Sequence, residues 1–364
     1  MSYCGENRNF SFREGCCESL PGNILTSSAA SEFGRILSRF FGRFSVGCDG
    51  FGHNHILYAV CCGISECGKD AYVCENTDLP SFLFGFPLLS SDCGVYVSGT
   101  GSSVKISLFG ANRFPVRSDI MSEIMNAEPD APAVRPGKLI SAGTFREIYI
   151  NNIADSLPNT SSAIPAGISC GCRSVRSLWQ EFFTGRDDEF VFQISDDGSR
   201  VNAYSSSAGF ISYEKLILTY ACFLGRSGKT VYLPESFHCC AELASEKSGL
   251  NIRRFDAKKE IPAEVEKQRF LYDPLYMCVH LAEDRQSFLK YVGNLPSLSS
   301  AKREIPLADM TDIPTNSSIP EKNGRVLISR SGKNRVTLTA QSYSSETASE
   351  LCGIWTDKIR KKDF

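Results

Sequence analysis

Ser31 to Asp49 reads SEFGRILSRFFGRFSVGCD, and this stretch decides the fold class. Phe33, Ile36, Leu37, Phe40 and Phe41 recur at i, i+3, i+4, i+7 and i+8, which predicts an amphipathic helix over Ser31–Phe41. Phe44 to Cys48 follows as a short apolar run ending at Gly47 and Asp49-Gly50, the pattern of a buried strand. The same pairing then repeats: helix His55–Gly63 with strand Asp70–Cys74, and a helix after Leu79-Pro80 with strand Gly94–Val97. A Gly/Ser loop, Ser98–Ser103, leads into a further strand, Val104–Phe109. Helices and strands that alternate in this way must bury an apolar face of each against the other, so the chain is expected to build α/β layers.

Further along, Ala127–Gly137 holds Pro129, Pro132 and Pro136 and reads as a linker. Helical spacing resumes over Thr144–Leu157, and a Ser/Pro-rich stretch, Pro158–Pro165, precedes a short strand–helix pair ending near Phe183. Glu189–Ile194 and Arg200–Tyr204 are predicted strands joined across Asp197-Gly198. Helices are expected at Tyr213–Leu224, Cys239–Lys247, Leu275–Leu281 and Ser287–Val292, with a strand at Thr230–Leu233. Ala301–Lys322 is polar and contains proline, which predicts a second linker. The end reads as strand Arg325–Ile328, a turn, strand Val336–Ala340 and helix Ser345–Trp355.

At 364 residues there is room for two to four compact units. Hydrophobic residues at 42% and charged residues at 22% are ordinary globular values. Lys plus Arg (39) nearly balance Asp plus Glu (41), a net charge of −2 that argues against a nucleic-acid partner. No stretch approaches the roughly 20 apolar residues of a membrane span. Met1 to Phe12 is polar and lacks the apolar core of a signal peptide, so a cytoplasmic protein is expected.

Sixteen cysteines are many. They occur as adjacent pairs (Cys16-Cys17, Cys61-Cys62, Cys239-Cys240), as Cys170-x-Cys172 and singly, without the paired C-x-x-C knuckles of a zinc site. Packed thiols acting as small hydrophobes are the expectation. His53 and His55 lack an accompanying ligand cluster, and His238 and His280 lie beside apolar residues and read as packed. A Cys–His nucleophile pair stays open, because spatial neighbours cannot be read from a sequence. Gly225–Thr230 mimics a nucleotide P-loop, but Phe223 stands at its first glycine position and the segment runs from helix to strand.

The order of these pieces resembles the α-D-phosphohexomutase superfamily, which includes phosphoglucomutases, phosphomannomutases and phosphoglucosamine mutases. Val46-Gly47-Cys48-Asp49 resembles the family's V-G-x-D. Gly94-Val95-Tyr96-Val97-Ser98-Gly99-Thr100-Gly101-Ser102-Ser103 resembles G-I-x-I-T-A-S-H-N-P, a strand followed by the phosphoserine loop. Phe192 to Val201 resembles the strand that carries the metal loop D-G-D-G-D-R, and Ser329-Arg330-Ser331-Gly332-Lys333-Asn334 looks like the phosphate loop R-P-S-G-T-E. The resemblance spans nearly the whole chain in the right order. It implies three α/β domains, the second and third reduced, plus a small C-terminal α+β domain around a central cleft. The implied boundaries are 1–136, 137–210, 211–300 and 301–364, with the phosphoserine-like loop at 98–103 and the metal-loop remnant at 195–200.

In that family a loop serine carries a phosphoryl group to the sugar phosphate, and metal and cationic groups neutralise the charge in transit. By resemblance the acceptor position falls on Thr100, a catalytic candidate whose following His-Asn-Pro has become Gly101-Ser102-Ser103. Of three metal-loop aspartates, the first falls on Ser195 and the third on Ser199; Asp197 remains, and Asp196 replaces a glycine. Asp196 and Asp197 are the metal candidates, and Mg²⁺ is the cofactor expected of an active enzyme, with none otherwise. The sugar-gripping G-E-x-S-G-H has no counterpart between Glu266 and Leu275. Arg330, Ser331, Gly332, Lys333 and Arg335 are the phosphate-binding candidates, through backbone N–H groups and cationic side chains. Read on composition alone, each of the three segments is also a plain turn: Gly/Ser-rich at 98–103, Asp-Gly at 197–198, basic at 330–335. The expectation is a catalytically inactive homologue that binds a sugar phosphate or a protein partner such as a true mutase. The alternative is an active mutase using Thr100, a remodelled site at Asp196 and Asp197, and Arg330 with Lys333.

Overall fold

The structure is a computed structural model that describes residues 10–13, 16–19, 25–49, 53–100, 103–157, 163–225, 228–256, 261–307, 313–314, 317–332 and 334–361. For residues 10–13, 16–19, 100, 103, 118, 247–248 and 331–332 it describes the backbone alone. The chain forms two compact units, Met1–Tyr204 with Arg269–Glu283, and Ser205–Gln268 with Asp284–Phe364.

The first unit holds a seven-stranded mixed sheet in the order Phe10–Arg13, Cys16–Ser19, Ser103–Gly110, Cys93–Thr100, Arg43–Cys48, Asp70–Cys74, Leu139–Ser141. Cys93–Thr100, Arg43–Cys48, Asp70–Cys74 and Leu139–Ser141 run parallel, and the remaining strands add antiparallel edges. Phe44, Val46, Val95 and Ile106 are wholly buried, as strands covered on both faces require.

One face is covered by the helices Ser27–Leu37 and Asn54–Glu66, which bury Phe33, Ile36, Leu37, Ile56, Val60 and Ile64 against the sheet. The first helix is capped by Thr26, whose hydroxyl accepts the Ala29 amide at 3.2 Å, so it starts and stops one turn earlier than its apolar spacing predicts. These two helices approach closely because each has a glycine at the crossing. A Cβ on Gly34 would lie 2.3 Å from the Val60 carbonyl oxygen, and one on Gly63 would lie 2.0 Å from that of Ser31. Phe82, Phe86, Tyr96 and Phe145 form a second core around the helix Leu79–Gly85.

The proline-rich segment 127–137, expected as a linker, is strapped to this first layer. Arg35 donates from Nε and Nη2 to the Asp130 carbonyl at 3.0 and 2.7 Å. The Ala133 and Gly137 amides donate to the carbonyls of Glu66 and Ser65, both at 2.8 Å. These bonds satisfy backbone groups that proline-broken structure would otherwise leave without partners.

A second layer in this unit pairs Ile164–Ser169 in parallel with both Phe183–Gly185 and Phe190–Ile194, and Val201–Ser205 follows the latter. Trp179, Phe183, Phe190 and Phe192 pack ring against ring as its core, with centroids 4.9–5.7 Å apart. Arg269–Glu283 returns to this unit through a buried network. The Tyr149 hydroxyl and Arg269 Nε donate to Asp273 at 2.6 and 2.7 Å, and Asp273 also accepts the Tyr276 amide at the start of the helix Pro274–Glu283.

In the second unit the parallel strands Val231–Pro234 and Ile252–Phe255 accompany the helices Tyr213–Gly225, Cys240–Ser248 and Arg285–Asn294. A four-stranded antiparallel sheet follows, in the order Ser299–Pro306, Arg335–Ser342, Gly324–Gly332, Ser317–Glu321. The helix Ser345–Lys361 closes it, with Trp355 in the core and its Nε1–H donating to Glu321 at 2.7 Å. Within Ala301–Lys322, the expected linker, two stretches are therefore strands. They escape apolar patterning because they are the sheet's two edges, where Lys302, Arg303 and Glu304 are exposed and Ile305 is the buried anchor.

Among the described residues no helix is long and apolar enough to cross a membrane.

Candidate functional site

The strand expected to stop at Val97 continues to Thr100. Ser98, Gly99 and Thr100 pair with Lys105, Val104 and Ser103, so four of the six residues expected as a loop are strand. Thr100 is its last paired residue, and Gly101 and Ser102 lie outside the described residues. The Tyr96 hydroxyl, on the same strand, donates to the Thr77 carbonyl at 2.8 Å. Next to Thr77, Asp78 caps the helix Leu79–Gly85 by accepting the Ser81 amide at 2.9 Å, with Arg146 3.7 Å away. Burial pushes the Asp78 carboxyl up, against the Ser81 hydrogen bonds and Arg146.

The Asp197 turn lies in the same unit and connects Phe190–Ile194 to Val201–Ser205. Gly198 takes φ +73°, the left-handed conformation that favours glycine, and its Cα side faces Pro80 and Val175, which a Cβ would meet at 3.0 and 3.3 Å. Asp197 Oδ1 accepts three hydrogen bonds: from Ser195 Oγ at 2.7 Å, from the Ser199 amide at 3.0 Å and from Ser199 Oγ at 2.7 Å. Burial alone would raise its carboxyl, but these donors and the charge of Lys105 hold it below the usual carboxylate range. Asp196 is exposed and accepts the Cys172 amide at 3.1 Å. Both residues thus tie the turn down, Asp197 to its own neighbours and Asp196 to the segment 170–172.

The third segment belongs to the second unit. Gly324–Gly332 and Arg335–Ser342 form a ladder in which Arg330 pairs with Val336 and Gly332 with Arg335, leaving a bulge at Ser331. Arg330 and Arg335 are exposed near the tip, and Lys333 lies outside the described residues.

The histidines do not join these segments. His53 is buried at the start of Asn54–Glu66 and His55, two residues on, is exposed. His280 Nδ1 bonds the Tyr276 carbonyl at 2.8 Å within its own helix. Residues 225–230 do run from helix to strand, as expected for a segment that is no P-loop; Arg226 and Ser227 lie outside the described residues. One grouping escaped the sequence reading: His238, Cys239 and Cys240 bring three ligand atoms together. The adjacent Cys pair was visible; its orientation was not.

No protein-family model matches the chain, and no curated protein sequence matches it. Solved structures do. A phosphoglucomutase/phosphomannomutase family protein from Burkholderia thailandensis superposes with a TM-score of 0.70 at 13% identity, over 96% of this chain and 97% of that one. A Thermus thermophilus protein assigned as a phosphomannomutase gives 0.63 at 14%, over 94% and 97%. The phosphoglucomutase parafusin from Paramecium, in its open form, gives 0.60 at 7%, over 91% of each chain. The backbone likeness extends almost end to end, so the fold of this chain is that of the α-D-phosphohexomutases.

Proposed function

We propose that this chain is a catalytically inactive phosphohexomutase homologue of carbohydrate metabolism that binds a sugar phosphate, in the cytoplasm, without interconverting it. The observation that carries this reading is the closed Asp197 turn. Mg²⁺ seeks near-octahedral oxygen ligation anchored by carboxylates. Here the hydroxyls at 195 and 199, where the resemblance places aspartates, donate to the one aspartate left, and all three hydrogen bonds fall on its Oδ1. Among the described residues no group of three His, Cys, Asp or Glu ligands includes Asp196 or Asp197. As arranged, these residues do not fit Mg²⁺. A phosphoryl transfer would then lack most of the charge neutralisation it depends on.

The segment that replaces the sugar-gripping loop supports the same reading. Residues 267–275 follow the short helix Ala263–Glu266 through the turn Arg269–Leu271, and the one carboxylate among them, Asp273, is engaged by Tyr149 and Arg269. What remains suited to a ligand is the exposed basic tip at Arg330 and Arg335, where guanidinium groups can bind phosphate in a forked geometry.

Thermal unfolding with and without Mg²⁺, across a panel of hexose 1- and 6-phosphates, tests the proposal. A ligand at a hundredfold excess over its dissociation constant adds about 2.7 kcal/mol, a readable shift. A shift with one sugar phosphate that ignores Mg²⁺, with no turnover, is the expected result. A Mg²⁺-dependent shift with turnover that Thr100→Ala abolishes would replace this reading with an active mutase using Thr100 as acceptor. No shift with any sugar phosphate would move the role to a protein partner such as a true mutase, to be sought by co-purification.

A further inference from the structure

The chain carries a cluster of soft metal ligands that the phosphohexomutase reading does not use. His238, Cys239 and Cys240 lie where the chain enters the helix Cys240–Ser248, and one ligand atom from each lies within 4.8 Å of the other two. The Cys239 sulfur is 4.0 Å from His238 Nδ1. In a tetrahedral zinc site, bonds of about 2.3 Å to sulfur and 2.0–2.1 Å to nitrogen hold the ligand atoms about 3.5–3.8 Å apart. The three atoms are therefore already near ligating separation. Among the described residues no other three His, Cys, Asp or Glu side chains come together in this way.

The imidazole is held in the tautomer that a metal at Nδ1 needs. His238 is 1% exposed and its ring is held from both sides. The Cys240 amide donates to Nδ1 at 3.1 Å, so Nδ1 is the unprotonated nitrogen, and a metal ion there would take over the lone pair that this amide now uses. The other nitrogen, Nε2, then bears the hydrogen and donates it to the Ser299 carbonyl at 3.0 Å. A ligating histidine is commonly fixed by just such a bond from its second nitrogen to a backbone carbonyl. Nδ1 is thus the nitrogen a metal would take in exchange for that amide bond, and it lies 4.0 Å from the Cys239 sulfur. Cys240 is buried with its thiol donating to the Ser297 carbonyl at 3.2 Å, whereas Cys239 is half-buried and leaves a way in from solvent.

A disulfide is the other fate open to neighbouring thiols, and the geometry opposes it. The Cys239–Cys240 peptide is trans. Adjacent Cα atoms across a trans peptide are about 3.8 Å apart, short of the 4.4–6.8 Å a disulfide spans. A metal ion between the sulfurs lifts that constraint, since the two need only converge on a third atom. Two thiolates and a neutral imidazole also balance a divalent charge, which suits a largely buried position. Cys61-Cys62, the same dipeptide in mid-helix, has one thiol buried and the other exposed.

We propose that His238, Cys239 and Cys240 form a zinc site, with the fourth position open to water. Its surroundings connect it to the C-terminal sheet. The Cys239 amide donates to the Gln341 side chain at 3.2 Å, and Arg325 donates to the Phe237 carbonyl and, at 2.9 Å, to the same Gln341 oxygen. With Ser297 and Ser299 on the other side, a bound ion would lock the helix Cys240–Ser248 to the C-terminal sheet, all within the second unit.

The test is metal titration of the full chain after stripping with a chelator. Zn²⁺ measured against a chromophoric competitor should bind one per chain, and Co²⁺ in its place should give a thiolate-to-metal charge-transfer band. Cys239→Ser should weaken zinc binding by at least about a hundredfold, the upper end of what losing even an outer-sphere partner costs. It should also remove about half of the cobalt band, while Cys62→Ser leaves both unchanged. X-ray absorption of the zinc-loaded unmutated chain needs no variant to fold and should find two sulfurs and one imidazole nitrogen. Zinc held with oxygen and nitrogen ligands only, or unaltered binding in Cys239→Ser, would overturn the proposal.

Discussion

The Asp197 turn and the Arg330–Arg335 hairpin are both tips of antiparallel strand pairs, and the resemblance assigns both to the chemistry. They have gone opposite ways. At the first, every interaction points inward: two serine hydroxyls and an amide converge on one carboxylate oxygen, and Gly198 seats against Pro80 and Val175. At the second, Arg330 and Arg335 are exposed beside a bulge. A loop whose charged ligands are replaced by hydroxyls can satisfy itself and become part of the scaffold. A loop that keeps exposed cationic residues retains something to offer a ligand.

The contrast predicts that substitutions in the first segment act on stability and those in the second on binding. The largest effect belongs to Asp197→Ala, which leaves three donors without their acceptor and should cost about 2–3 kcal/mol in urea unfolding at pH 7. The carboxyl is held below its unfolded value, so its stabilisation is present above about pH 4 and is lost as pH falls through the folded value. The difference between Asp197→Ala and the unaltered chain should therefore shrink at pH 3, and an undiminished difference there would count against the hydrogen-bonded carboxylate. Gly198→Ala should cost about 1–2 kcal/mol, from a positive φ and a Cβ 3.0 Å from Pro80. Removing either Arg330 or Arg335 should weaken sugar-phosphate binding about tenfold, about 1.4 kcal/mol, with unfolding shifted far less. Smallest is Asp196→Asn, which keeps an acceptor for the Cys172 amide and should stay within about 0.5 kcal/mol. A Mg²⁺ affinity that disappears in Asp196→Asn would break the comparison, since it would put a metal back at the first tip.

The central parallel strands were legible because burial on both faces leaves an unmistakable apolar signature: Asp70–Cys74 falls where its residues predict. The edge strands Ser299–Pro306 and Ser317–Glu321 were not, since an edge shows solvent a polar surface and resembles a linker. Segment 127–137 was misread for a related reason. Its prolines announce a lack of regular structure but say nothing of the carbonyls and guanidinium that hold it to the first layer. At the candidate sites the sequence showed which ligands were missing from positions 195 and 199. It could not show that the replacements would turn their hydroxyls toward Asp197, because that depends on rotamers. Ser98–Thr100 joined the ladder despite its Gly/Ser content, since pairing with Ser103–Lys105 was available. The His238–Cys240 cluster shows the same limit: neighbours in sequence were plain, but which way two adjacent thiols point depends on where the helix begins.

The crossing of Ser27–Leu37 with Asn54–Glu66 has a consequence for motion. With glycine at both contact points, backbone meets backbone, and no side chain lies between them to repack as one helix loosens. Each helix loses its main support if the other departs. Their amides should therefore exchange with deuterium as a single cooperative block, with one common opening free energy across both helices in place of two independent ones.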